Sequence, residues 1–410
     1  MPLLLVYAIA IARGATRGER LPPAPALPSA KPLVPWWSRE ECARLTSSPP
    51  PAVVALRKLH AAAQRGEPGC TVGLMRGGVN NVRQANYMAL VVAVLTGRRL
   101  SACSAKNDIG YRFDRETIAA SVGMRNDGCC GTKWTEVAGL GGDIEGTSQS
   151  VSDWIATLSS EPYRSAAVLA TAATFGSPAY AFQLGNDADP LAAYIDSVLR
   201  ACYHPKDELW REAKRMRSLL PSSFTAVNVR HKYVDAPVLN CSAHGWGHYA
   251  VSEKHVSNMR VPCVREDGSK VTLVDAVLMA APLGGSVYLA GVGPEIAARK
   301  ELELLGYSVY EYERDLLPQY RRAFRSPGSV AQEEPAFAHD PVVDQIIIAA
   351  AARYVGDYPS SFTEGAVDYM RWLESDARER DPRPGRAGAF QGASNYAAFN
   401  RIVAMNAGQS

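Results

Sequence analysis

CTVGLMRGGVNNVRQANYMALVVAVL, residues 70–95, decides the fold class. Thr71 to Leu74 reads as a short strand, and Gly77-Gly78 as the turn that closes it. From Asn80 to Leu95 the apolar residues Ala85, Met88, Ala89, Val92 and Leu95 recur at helical spacing. Strand, glycine turn and helix form the opening of a nucleotide-fold unit. Glycines allow close backbone approach, and a helix N-terminus attracts anionic groups. A plain strand-to-helix turn would use the same residues, and the segment is neither a Walker loop nor a GxGxxG.

The same alternation returns further along. The sequence predicts strands over Phe224–Val229, Ser286–Leu289 and Ser308–Tyr312, and one ending at Tyr354-Val355-Gly356. It predicts helices over Leu273–Ala281, Glu295–Leu304, Val342–Ala352 and Gly365–Leu373. Between the two blocks, Ser165–Thr174, Pro190–Cys202 and Lys206–Leu219 read as helices, and Ala52–Gln64 as a helix ahead of the first strand. Strands alternating with helices imply parallel sheets.

Composition bounds the possibilities. The chain has 410 residues, 47% hydrophobic and 21% charged, which is ordinary for a globular protein and long enough for two domains. A net charge of +3 is too balanced for a nucleic-acid binder that works by bulk electrostatics. Met1–Arg13 (MPLLLVYAIAIAR) has an apolar run too short to span a bilayer. It suits a signal-peptide core with Ala8-Ile9-Ala10 as a cleavage pattern, a truncated anchor or a mistaken start being the alternatives. The 8 cysteines contain no CxxC pair, so disulfides of a secretory lumen, ER or Golgi, fit better than structural zinc. Asn240-Cys241-Ser242 is a formal glycosylation sequon. Residues 14–36 are rich in Pro and Ala and read as an extended stem. The expected organisation is a signal segment (1–13), stem and helix (14–69), an N-terminal Rossmann-like acceptor-side domain (70–220), a C-terminal Rossmann-like nucleotide-sugar domain (221–377) and a tail (378–410).

Three segments carry chemistry. Arg230 ends the apolar run Thr225–Arg230, and in open parallel sheets ligands bind beyond the strand ends. A guanidinium grips phosphate oxygens bidentately and keeps its charge. An ion pair with Asp235 is the structural alternative. Gly77, Gly78 and Asn80 make up the second segment. The third runs from Asp340 to Thr363, where Asp344 opens an apolar helix and Ser360-Ser361-Phe362-Thr363 follow the next strand. Hydroxyls and amides there can hold phosphate or ribose oxygens, or simply cap a helix.

In this order the segments resemble the GDP-fucose O-fucosyltransferase superfamily. The resemblance rests on GGVNNVRQANYMALVVAVLTGRRL (77–100), NVRHKYVDAPVLNC (228–241), SVYLAGVGPEIAARKELELLGYSV (286–309) and DQIIIAAAARYVGDYPSSFT (344–363), and spans roughly 70–372. It implies an α/β GT-B fold, two Rossmann-like domains facing across a cleft. It also implies an inverting transferase with GDP-fucose as donor substrate, no metal and no other cofactor, and a protein hydroxyl or glycan as acceptor. Arg230 falls on the family's essential arginine, whose role is to neutralise charge on the departing β-phosphate. Gly77, Gly78, Asn80, Asn228, Asp344, Ser360, Ser361, Phe362 and Thr363 fall on donor-binding positions. The chain departs from the pattern twice. Asn228 stands where the family has a histidine, which leaves the donor sugar open. Gly77 stands about where one branch has a glutamate base, so no base carries over.

Other motifs compete. Asp187-Ala188-Asp189 is a DxD, but before Pro190 and an apolar helix it reads as a helix cap. His244, His248 and His255 suggest a metal, but Gly245 and Gly247 argue against one helix presenting the first two. Trp246 could stack on a sugar, and Arg321-Arg322 read as a solvated helix face. The expected partners are a GDP-sugar and a protein or glycan acceptor, with no nucleic acid, and a membrane only if the N-terminus is an anchor. The alternatives are a transferase of this fold using another GDP-sugar, and an inactive relative acting as a glycan-binding or scaffold protein.

Overall fold

The structure, a computed structural model, describes residues 33–64, 68–74, 79–101, 112–125, 135–137, 151–172, 190–228, 239–240, 263–264, 277, 281, 283–290, 296–323, 340–355, 362, 365–366, 368–370 and 372–373. The architecture is α/β, with two parallel sheets. In the first, β1 (Cys70–Leu74) lies between β2 (Arg99–Ser101) and β5 (Val168–Ala172), with β3 (Met124–Arg125) beyond β2 and β4 (Thr135–Glu136) beyond β5. In the second, β6 (Thr225–Asn228) pairs with β9 (Ser286–Ala290), which pairs with β10 (Ser308–Glu311). The last strand, β11 (Arg353–Val355), pairs with the free side of β6. β7 (Leu239–Asn240) and β8 (Cys263–Val264) form a separate parallel pair.

Both sheets reverse direction once. The first is built outward from β1 to β3 on one side and then continues on the other, so the reversal lies between β1 and β5. The second runs β6, β9, β10 and then returns past β6, so the reversal lies between β6 and β11. Crevices at the C-terminal ends of strands flanking such a reversal are where open α/β sheets bind ligands.

The helix after β1, α3 (Val79–Thr96), sits unusually close to its strand. A Cβ placed on Gly73 would lie 2.7 Å from the Ala85 carbonyl oxygen. Two buried hydroxyls secure the contact: Thr71 Oγ1 donates to the Ala89 carbonyl at 3.0 Å, and Thr171 Oγ1 to the Ala85 carbonyl at 3.2 Å. The helix predicted over Ser165–Thr174 is a correction, because Val168–Ala172 is β5. Leu169 and Ala170 are both wholly buried although they face opposite sides of the strand. A strand covered on both faces lacks alternation and resembles a buried helix in sequence.

The remaining helices are α1 (Arg39–Ser47), α2 (Pro51–Gln64), α4 (Arg115–Val122), α5 (Val151–Leu158), α6 (Pro190–Cys202), α7 (Asp207–Ser218), α8 (Ile296–Leu304), α9 (Leu317–Ala323) and α10 (Pro341–Ala349). A π-helical turn, Tyr312–Leu316, leads into α9. The described residues between 365 and 373 are helical. Ser38 caps α1, and Asp340 caps α10 ahead of Pro341. The predicted helix over 273–281 lies almost wholly outside the described residues.

A continuous core joins the two sheets. At its centre the Trp36 ring meets Trp210 edge-on at 5.1 Å and tilts against Tyr369 at 4.8 Å and Trp372 at 5.8 Å. Trp372 Nε1 donates to Asp196 Oδ1 on α6 at 3.1 Å. Leu33 and Trp36 are buried here, so the stem expected over 14–36 is corrected at its end: residues 33–36 pack into the folded unit. Cys42 on α1 is bonded to Cys202 at the end of α6, 160 residues away, and Cys70 is also disulfide-bonded. A crosslink closing so long a loop contributes roughly 2–4 kcal/mol. The Cys42→Ser/Cys202→Ser double variant is expected to lose stability of that order in urea unfolding. An unchanged midpoint would show that the bond does not form.

On the buried face of α2, His60 is 1% exposed. Its Nε2 donates to the Leu158 carbonyl at 3.0 Å, and its Nδ1 accepts from the Arg98 guanidinium at 3.2 Å. Burial, then the Arg98 charge, lower its pKa from 6.5 to about 4, with Arg164 adding to the effect and Glu161 opposing it. The unfolded ring protonates near pH 6.5 and the folded ring only near 4, so acid favours the unfolded chain across that window. A gap of this size corresponds to about 3 kcal/mol, present above pH 6.5 and lost as pH falls toward 4. Between pH 7 and 4.5 the wild type is expected to lose more stability in urea than His60→Gln does; parallel losses would refute this.

Candidate functional site

The site is built where α10 meets the start of α3. α10 (PVVDQIIIA) is apolar nearly all round, and every residue from Val342 to Ala349 is buried. It lies between β10 and β11 in the chain, yet its polar residues reach both sheets. Gln345 is wholly buried. Its Nε2 donates to Asn80 Oδ1 in the first turn of α3 at 2.7 Å and to the Phe362 carbonyl beyond β11 at 2.8 Å. Its Oε1 accepts from Arg83 Nη1 at 2.8 Å. One amide thus gathers three segments that are far apart in the chain: the one after β1, the one before β11 and the one after β11.

The Arg83 guanidinium is itself wholly buried, 5.3 Å from the ring centre of Tyr87 and 5.4 Å from that of Tyr369. Burial opposes its charge, but the two phenols and Asp368 outweigh that and raise its pKa. Its Nε and Nη2 make no hydrogen bond among the described residues. The group fits only because residue 365 has no side chain: a Cβ there would stand 1.7 Å from Arg83 Nη2.

Next to Gln345, Asp344 turns toward the second sheet, and its carboxylate accepts the Tyr288 hydroxyl of β9. Burial, then the carboxylate, push the Tyr288 phenol well above 10, which keeps it a donor. Asp340 also joins the halves. Its Oδ1 caps α10 at Val342 N–H, 2.9 Å, and its Oδ2 accepts from Arg112 Nε at 2.6 Å.

No family model and no curated protein matches this chain. Among solved structures, a mutant of Arabidopsis thaliana FUT1 in complex with GDP is similar at 11% identity and a TM-score of 0.41, covering 78% of this chain and 77% of that one. POFUT1 in complex with GDP is similar at 14% identity and a TM-score of 0.38, covering 74% of this chain and 95% of that one.

Of the residues expected in the site, the structure brings together Asn80, Phe362 and, one residue from their shared partner, Asp344. The side chain of Asn228, at the end of β6, lies outside the described residues, as do Arg230, Gly77, Gly78, Ser360, Ser361 and Thr363. The strands that precede these residues are described. β1 ends three residues before Gly77, β6 two before Arg230 and β11 five before Ser360, and all three strands flank a reversal. The sequence reading missed Gln345 and Arg83. Both stand in segments that carry the resemblance, Arg83 in 77–100 and Gln345 in 344–363, but no role attaches to either until the helices are seen to meet. The DxD at 187–189 and the histidines 244, 248 and 255 lie outside the described residues, and among the described residues no cluster could hold a metal ion. An open groove of about 510 Å³ lies elsewhere, between Arg39, Asp114, Glu116 and Lys206, and its charges are of both signs.

Proposed function

We propose that the chain is a metal-independent GT-B glycosyltransferase that takes its sugar from a GDP-sugar, GDP-fucose first, and passes it with inversion to a protein hydroxyl or a glycan. The observation that supports this most is the Gln345 junction. The resemblance puts the Gly-rich turn, the apolar helix and the hydroxyl loop around one donor, and Gln345 on that helix bonds to Asn80 and Arg83, which follow the turn in sequence, and to the Phe362 carbonyl. The sheet reversals support it as well, since the chain enters each of those loops, and the loop of Arg230, from a strand flanking one.

In this reading Arg230 neutralises charge on the departing β-phosphate. The loop of Ser360, Ser361, Phe362 and Thr363 holds the nucleotide, and Gly77, Gly78 and Asn80 present the start of α3 to it. Asp344 holds Tyr288 in the interior and acts by fixing α10 behind the nucleotide. The N-terminal domain (70–220) faces the acceptor and the C-terminal domain (221–377) holds the donor. Cysteine pairing fits a secretory lumen. Asn228, in place of the family's histidine, favours a second reading in which the donor is another GDP-sugar.

A donor screen tests this. GDP-fucose, GDP-mannose and UDP-sugars are compared by thermal shift and by hydrolysis of the sugar nucleotide. A shift and turnover with GDP-fucose are expected. A response to GDP-mannose alone would select the second reading. No response to any nucleotide would leave a non-catalytic binding protein.

A further inference from the structure

We infer that Arg83 and Gln345 are positioning residues that fix which end of the Asn80 amide faces the ligand, making Asn80 an obligate donor to the diphosphate. The inference rests on the function proposed above and extends it to two side chains to which the sequence reading gave no role.

An amide has a donor end and an acceptor end of nearly the same shape, so its direction must be set by its neighbours. Arginine can only donate. Arg83 Nη1, at 2.8 Å from Gln345, therefore holds the Gln345 oxygen toward itself. The Phe362 carbonyl can only accept, and at 2.8 Å it holds the Gln345 nitrogen on the other side. With both ends committed, the second N–H of Gln345 must point at Asn80, which answers with Oδ1 at 2.7 Å. The Asn80 Nδ2 is thereby turned away from the junction. Asn80 is 7% exposed, and its Nδ2 makes no hydrogen bond among the described residues. It stands in the first turn of α3, beside N–H groups with no partner in the helix and a partial positive charge. A fixed donor there is matched to an anionic oxygen and mismatched to a cation. Gly365, by leaving room for the guanidinium, is the part of the helical residues 365–373 that makes the arrangement possible.

The test reverses the polarity without emptying the site. In Gln345→Glu the carboxylate still accepts from Arg83 but offers only acceptors to Asn80, whose amide must then turn its nitrogen inward and its oxygen outward. Titration calorimetry with GDP is expected to show a roughly 10- to 100-fold weaker Kd, the range for a lost hydrogen bond to a charged group. In that background Asn80→Ala is expected to cost nothing further, whereas in the wild type it costs most of the same factor. Asn80→Asp keeps the bond from Gln345 but presents only oxygen to the ligand. It should bind GDP more weakly than Asn80→Ala, and it serves alone if Gln345→Glu does not fold. Unchanged GDP affinity in Gln345→Glu, additive losses in the double variant, or Asn80→Asp binding as well as wild type would each overturn the inference while leaving the proposed function standing. A wild-type protein that does not bind GDP would remove the proposed function and this inference together.

Discussion

Arg230→Ala is expected to lower sugar transfer by roughly 10²–10³-fold, the usual cost of removing one group that stabilises charge developing in the transition state. As the bond to the anomeric carbon breaks, negative charge gathers on the β-phosphate. In the metal-independent transfer proposed above, a fixed cation contributes more in the transition state than in the ground state. The loss should therefore fall mainly on kcat, with a smaller change in KM. Arg230 lies two residues beyond the end of β6, outside the strand whose Thr225, Ala226 and Val227 are wholly buried. Urea unfolding of the variant should match wild type. Lys at the same position should recover only part of the rate, because it keeps the charge but not the two-pronged grip. Transfer at near wild-type rate in Arg230→Ala would refute the role assigned to this residue.

Gly73→Ala is expected to destabilise the protein by roughly 3 kcal/mol or more, although it adds a single methyl group. The new Cβ would meet Ala85 O at 2.7 Å, Ala85 C at 2.8 Å and Asn86 N at 3.0 Å. All three are backbone atoms of α3, so no rotamer change relieves the contact. The helix must move off the strand, which pulls at the Thr71 and Thr171 hydrogen bonds. Asn80 is on the same rigid helix five residues before Ala85, so the start of α3 moves too. Urea unfolding reads the first effect and GDP affinity the second. A variant with wild-type stability would mean that α3 does not approach β1 as closely as described.

Much of this architecture was legible in the chain. At 70–95 a short run closed by Gly77-Gly78 and followed by apolar residues at helical spacing marks β1 and α3. The apolar run at 342–352 marks α10, and β6, β9, β10 and β11 were placed within a residue or two of their observed bounds. β5 was not legible as a strand, because a strand buried on both faces carries no period. α1 was hidden by charge: Arg39, Glu40, Glu41 and Arg44 give it a polar face, and only Cys42, Leu45 and Thr46 turn inward. In the site, motif residues such as Asn80 and Phe362 could be picked out by type and position. Gln345 could not, because its three partners are brought to it by tertiary packing alone. The buried Arg83 was equally hidden, since arginine in an isolated helix reads as a surface residue.

The seating of Tyr369 and Trp372 has a consequence for biosynthesis. Every strand of the first sheet and both cysteines of the Cys42–Cys202 pair are made before any strand of the second sheet. Yet Trp36 and Tyr87, in that early part, are covered by rings from Tyr369 and Trp372, which are made after both sheets. The early part can thus be locked covalently while its interior still lacks a wall. A nascent chain stalled before residue 365 would present a crosslinked, wet-sided intermediate, the kind of surface that chaperones retain, and release would wait on the helical turns of residues 365–373.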